Sequence, residues 1–196
     1  QKKQKKKLQT KLFNSPFHDL KEDYQQKKSP PKPKYPKGPQ GCPSFQTLLG
    51  NKTGRQKILQ FCGEHTLQNI LIVWGPSGSG KSSSIYQCLK VSQIWPYMSE
   101  TIIDDGNMEL IHGMRHILLT NKHKRMAFFL DDFLSILQSK EQLKRFVKYV
   151  PTIQKVKIII VLDNLYTKDL VPLRSLLKHE QCIEIRFWNL FDSEIF

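Results

Sequence analysis

The run Gly75-Pro76-Ser77-Gly78-Ser79-Gly80-Lys81-Ser82-Ser83 has the residue types and spacing of a phosphate cradle. In the pattern G-x-x-x-x-G-K-[ST], the glycines let consecutive backbone N–H groups converge on phosphate oxygens without Cβ clashes. Lys81 is then placed to reach the β- and γ-phosphates, and the Ser82 hydroxyl to ligate Mg²⁺. A helix starting at Lys81 would add the positive end of its dipole. The chemistry implied is binding of ATP with Mg²⁺, followed by hydrolysis if a water can be held opposite the γ-phosphoryl group.

Two further polar positions suit that chemistry. Phe128-Phe129-Leu130-Asp131-Asp132 is an apolar stretch ending in two carboxylates. Asp131 fits the metal side of a phosphate-loop ATPase, and Asp132 fits the group that holds or polarises the attacking water. Glutamate is the usual residue in the second role. Aspartate is one methylene shorter, and a misplacement on the order of 1 Å slows a reaction ~100-fold, so slow turnover is expected. Another apolar run ends at Asp163-Asn164, where a polar sensor of the γ-phosphate belongs. The sequence leaves open which of the two fills it.

These residues need strands that end where the chemistry begins. Residues 70–74 read as the first strand, and residues 81–90 as the helix after the loop, with Ile85 and Leu89 at i, i+4 spacing. Ahead of them, Ile58, Leu59 and Phe61 fall on one side of a first helix. Thr101-Ile102-Ile103-Asp104 reads as a second strand. Residues 108–119 have the apolar spacing of an amphipathic helix, and 126–130 form a third strand. Residues 140–149 read as a helix, 157–162 as a strand apolar enough to be covered on both faces, 170–178 as a helix and 182–187 as a fifth strand. Alternating strands and helices predict an α/β phosphate-loop core: a five-stranded parallel sheet between helices, joined by right-handed crossovers.

Charge divides the chain. The net charge is +14, and residues 1–41 hold twelve lysines against Asp19, Glu22 and Asp23, so +9 sits in that basic, proline-rich tail. Such a composition buries little and is expected to be disordered. It suits a polyanion such as DNA, since lysines near phosphates release condensed counterions, but it equally suits a solvated charge run or a nuclear-import signal. Cys42, Cys62, Cys88 and Cys182 form no C-x-x-C pair and have no matching histidine cluster, which disfavours zinc and a disulfide framework and fits a reducing compartment. No apolar run approaches the ~18 residues of a membrane span, so no membrane partner is expected. The chain opens on Gln1 rather than Met, which is read as a piece of a longer protein.

The motifs fall in the order found in AAA+ ATPases of the clamp-loader group, and the chain resembles a replication factor C subunit of the large-subunit type. The residues carrying the resemblance are Leu48-Leu49-Gly50-Asn51, Gly75 to Ser82, Leu130-Asp131-Asp132, and Asp163-Asn164-Leu165-Tyr166 followed by Leu170, Pro172, Leu173 and Arg174. It runs from Phe45 to Phe187, which implies an AAA+ core over residues 42–187 and the start of a helical lid over 188–196. It also implies a hetero-oligomeric ring with other AAA+ subunits, acting on a sliding clamp and on DNA through tail and ring. The location implied is the nucleus, or the viral replication site for a viral chain. Small clamp-loader subunits carry Ser-Arg-Cys before the last strand, whereas alignment on Cys182 puts Glu180 and Gln181 in the first two places. Without that arginine finger, this chain is expected to receive charge stabilisation in trans rather than give it. Two other readings are a viral-type replicative helicase and an ATP-holding scaffold that does not hydrolyse.

Overall fold

The computed structural model describes residues 50–64, 66–103, 108–121, 125–154 and 156–189. The expected basic tail (1–41), the start of the core (42–49) and residues 190–196 of the expected lid lie outside the described residues. In chain order the elements are α1 (Lys52–Phe61), β1 (Ile70–Trp74), α2 (Lys81–Val91), β2 (Trp95–Met98), α3 (Ser99–Ile103), α4 (Leu110–Thr120) and β3 (Met126–Leu130). They continue with α5 (Phe133–Ile136), α6 (Lys140–Tyr149), β4 (Lys157–Leu162), α7 (Val171–Arg174) and β5 (Cys182–Arg186).

All five strands are parallel, in the order β2-β3-β4-β1-β5. The middle strand is β4, whose Ile158, Ile159 and Ile160 are fully buried, as its continuous apolar run predicts. Alternation sorts the strand side chains into two cores. Ile70, Ile72, Phe128, Leu130, Ile158 and Ile160 face Met114, Leu143 and Phe146 of α4 and α6. Leu71, Val73, Phe129, Ile159 and Val161 face Ile58, Phe61, Ile85 and Leu89 of α1 and α2. Burying both faces stabilises the fold by roughly 1.5–3 kcal/mol per large apolar side chain. The positions of the strand ends are therefore set by packing on both faces of the sheet.

Two expectations need correction. The second strand is Trp95–Met98, and Thr101 to Ile103 belong to α3 instead; Asp104 lies outside the described residues. The β-branched side chains of Thr101, Ile102 and Ile103 favour a strand, but tertiary context overrides that weak preference. Trp95 and Tyr97 already supply the strand paired with β3. Pro96 is tolerated there because β2 is an edge strand that needs no second set of donors. A helical turn at α3 then buries Ile102 against α4. The second correction concerns residues 170–178, which form a 3₁₀ turn, the four-residue α7 and another 3₁₀ turn rather than one α-helix. Leu170, Leu173 and Leu176 are all fully buried, and their spacing of three matches the 3₁₀ repeat, not 3.6.

Gly113 gives a test of the α3–α4 contact. A Cβ at Gly113 would stand 2.4 Å from the Ile102 carbonyl oxygen. Replacing a mid-helix glycine by alanine ordinarily stabilises by about 1 kcal/mol. Here the sign should reverse, with Gly113→Ala lowering stability by about 1–3 kcal/mol in denaturant titrations. A gain in stability would show that α3 does not pack as described.

Candidate functional site

The phosphate loop leaves β1 at Trp74 and enters α2 at Lys81. Its shape depends on one close approach: a Cβ at Gly75 would lie 2.2 Å from the carbonyl oxygen of Phe187, just past β5. Only glycine fits there. Gly80, the N-cap of α2, sits at φ 83, and Gly78 at φ 78, with open space where a Cβ would stand. Those two glycines serve the direction of the backbone rather than its packing. No acidic residue lies in the first turn of α2 and no side chain caps it, so its positive end is left for a ligand anion.

Lys81 is 7% exposed. Its Nζ donates to the carbonyl oxygens of Gly75 (2.7 Å) and Pro76 (2.9 Å) and pairs with Asp163 Oδ1 at 3.0 Å. Asp163 is 70% exposed at its side chain, so that attraction is screened and weak. Phosphate oxygens entering the loop would therefore displace a loosely held partner. On the other side of the loop, Ser82 Oγ donates to Asp131 Oδ1 at 2.8 Å. A hydroxyl and a carboxylate side by side are the hard oxygen ligands that Mg²⁺ takes, with the remaining positions filled by water and phosphate. The donor set thus fits Mg·ATP. A cavity of about 450 Å³ joins both pairs, lined by Ser77, Gly78, Gly80, Lys81, Ser82, Ser83, Asp131, Asp132 and Asp163.

Three of the loop residues do not line that cavity. Gly75 and Pro76 contribute carbonyls to Lys81 from behind, and Ser79 is buried, its hydroxyl without a partner. The two candidates at the end of β4 are placed differently. Asp163 faces Lys81, whereas Asn164 Oδ1 accepts from the Tyr166 backbone N–H at 2.9 Å, closing a local turn. Asp132 begins α5 in the left-handed region (φ 48), and its side chain makes no capping bond. Its backbone carbonyl instead accepts from the N–H (3.0 Å) and hydroxyl (2.8 Å) of Ser135. The carboxylate is left exposed beside Asp131, at the mouth of the cavity. Glu180 and Gln181 precede β5, where the Gln181 carbonyl accepts from the Asn69 and Ile70 backbone N–H groups, at the end of the sheet opposite the phosphate loop.

Asn51 was legible only as a landmark, and it turns out to hold the site together. Gly50 and Asn51 both take positive φ (64 and 50), turning the chain into α1. The Asn51 side chain accepts from the Trp188 N–H (3.0 Å) and donates to the Trp188 carbonyl (2.9 Å) and to the Ser79 carbonyl (3.2 Å). One amide thereby fastens the phosphate loop to the segment leaving β5. The sequence signal was the Gly-Asn pair, the two residues that most readily adopt left-handed backbone. The described cysteines take no part. Cys62, Cys88 and Cys182 are free, and burial pushes their thiols up to about 11, 12 and 12, leaving little reactive thiolate at neutral pH.

No protein-family model matches the sequence, and neither does any curated protein. Among solved structures, the Aeropyrum pernix Orc1 protein in complex with DNA is similar, with a TM-score of 0.53 and 13% sequence identity. The match covers 76% of this chain and 47% of that one, so the chain spans about half the length of the structure it resembles. The likeness carries the fold alone, an α/β core with a five-stranded parallel sheet between helices.

Asn51→Ala removes one acceptor and two donors at once. It should lower stability by about 1–3 kcal/mol, measured by thermal or denaturant unfolding. Asn51→Asp keeps the acceptor for the Trp188 N–H but turns an anionic oxygen on the Trp188 and Ser79 carbonyls, so it should lose at least as much. Equal stability of all three proteins would show that the amide does not fasten the loop.

Proposed function

We propose that this chain binds Mg·ATP at the phosphate loop and serves as a slowly hydrolysing AAA+ subunit of a clamp-loader-like ring acting on DNA. The observation that carries the first part is the pairing of Ser82 with Asp131 at 2.8 Å, next to a Lys81 ammonium held by loop carbonyls. Lys81 would neutralise phosphate charge, and the α2 N-terminus would hold phosphate oxygens. Ser82 and Asp131 would hold Mg²⁺, which supplies charge neutralisation at the β- and γ-oxygens. Asp132 would place the attacking water, and Asp163 would respond to the γ-phosphate through Lys81.

The ring assignment rests on the resemblance to large clamp-loader subunits. DNA as a partner is supported by the net charge of +14 and by the fold likeness to a protein solved on DNA. Sliding clamp, partner subunits and nuclear or viral location follow from the same reading. A scaffold that holds ATP without hydrolysis is the second reading, favoured by the short Asp132 carboxylate on a left-handed residue. Single-turnover assays separate the two, because a scaffold releases no phosphate even when ATP is bound stoichiometrically.

Lys81→Ala should abolish ATP binding, and Asp131→Asn should remove its Mg²⁺ dependence, both by equilibrium titration. Wild-type affinity in the Lys81 variant would disprove the phosphate-loop assignment. Hydrolysis by the isolated chain should be slow and rise with small subunits carrying Ser-Arg-Cys, since a finger in trans is worth ~10³–10⁵ in rate elsewhere. Rapid turnover by the chain alone, indifferent to partners, would replace the ring subunit with an autonomous ATPase.

A further inference from the structure

A row of alternating rings and guanidinium groups lies beside the C-terminal ends of β1 and β5, and none of its members lines the phosphate-loop cavity. Trp74, the last residue of β1, is paired in register with Arg186 of β5, whose guanidinium lies 4.8 Å from the Trp74 ring centroid. The same guanidinium sits 3.6 Å from the centroid of the Trp188 ring. On the other side, Tyr166 meets Trp74 edge-on at 5.3 Å, and Arg174 stands 5.6 Å above Tyr166. Glu184 fixes the centre, accepting from Trp74 Nε1 at 2.6 Å and from the Tyr166 hydroxyl at 3.1 Å. Those bonds raise the Tyr166 pKa, because a phenolate would face the carboxylate.

Folding accounts for the middle of this row and not for its ends. Trp74 is partly buried and packs against the core, whereas Tyr166 remains 54% exposed and Trp188 48% exposed. Glu184 is engaged with the two rings, and neither Arg174 nor Arg186 forms an ion pair with a carboxylate among the described residues. The row therefore offers two half-open aromatic faces and two cations without anions, on a chain of net charge +14. Guanidinium groups are weakly hydrated and stack, so they can hold a phosphate while lying on a ring.

We propose that this row is a binding surface for single-stranded nucleic acid, with bases stacked on Tyr166 and Trp188 and phosphates on Arg174 and Arg186. Single strands expose both partners of that chemistry, a π-face on every base and an anion on every linkage. A duplex hides its base faces and would meet the cations alone.

The chain has only three tryptophans, Trp74, Trp95 and Trp188, and two of them lie in this row. Trp95 is on β2, at the opposite edge of the sheet, and serves as an internal reference. The experiment is titration of the full chain with a mixed-sequence single-stranded oligonucleotide, without nucleotide, reading tryptophan emission and oligonucleotide anisotropy together. Stacking should quench emission as binding proceeds, and quenching should persist at a salt concentration that suppresses purely ionic contact. Trp188→Ala and Tyr166→Ala should each weaken affinity about tenfold. Tyr166→Phe, which loses the bond to Glu184 but keeps the ring, should stay near wild type and so separates stacking from misfolding. Binding seen by anisotropy without quenching would overturn the proposal, placing the contact elsewhere on the chain. Equal quenching by duplex would also overturn it, and so would quenching by ATP alone to which the oligonucleotide adds nothing.

Discussion

Gly75 touches the carbonyl oxygen of Phe187 at a distance that leaves no room for a side chain, and the rest of the site is arranged around that contact. Because β1 and β5 are parallel neighbours, their C-terminal ends arrive at the same level, so the loop from one can rest on the exit from the other. The Phe187 N–H donates to the Trp74 carbonyl at 2.7 Å, extending the ladder one step beyond β5 and fixing where Gly75 begins. Asn51 then binds the following residue, Trp188, and the far side of the loop at Ser79. The loop is thus seated by two distant parts of the chain, the backbone leaving β5 and the Asn51 side chain. Its conformation does not depend on the loop sequence alone.

Within this seat, charge is kept available rather than consumed. Lys81 is held by two carbonyl dipoles and by a carboxylate that faces solvent, an arrangement weaker than a fully buried ion pair. Ser82 and Asp131 satisfy each other across the loop, and both are hard oxygen groups. Asp132 is turned into the open by a left-handed backbone that costs on the order of 1 kcal/mol for a non-glycine residue, a local strain of the kind found where function sets the geometry.

The parts of the fold that were legible in the sequence are those in which burial decides alone. The runs Ile70–Trp74, Met126–Leu130 and Lys157–Leu162 are apolar on both faces and could be little else than central strands. The glycine-lysine-serine spacing made the phosphate loop equally plain. Where local preference and tertiary packing disagreed, the reading failed. Thr101 to Ile103 look like strand by side-chain shape and are helix by position, and Leu170, Leu173 and Leu176 obey a period of three that in sequence is hard to tell from the α-helical one. Asp163 and Asn164 could not be separated because the difference lies in which side chain folds back on its own backbone. Asn51 acts across 137 residues of chain, a separation over which sequence spacing carries no signal.

That separation has a consequence for how the protein is made. Strand β1 is completed by β4 and β5, both far downstream, so the sheet closes through non-local pairings that form slowly. A chain emerging from the ribosome presents its phosphate-binding sequence long before Phe187 and Trp188 exist to seat it. Until those residues leave the exit tunnel, β1 has only β4 available as a partner and its loop has nothing to rest on. In that earlier interval the strands that will lie at the centre of the sheet are exposed, and with them the apolar surface most prone to aggregate.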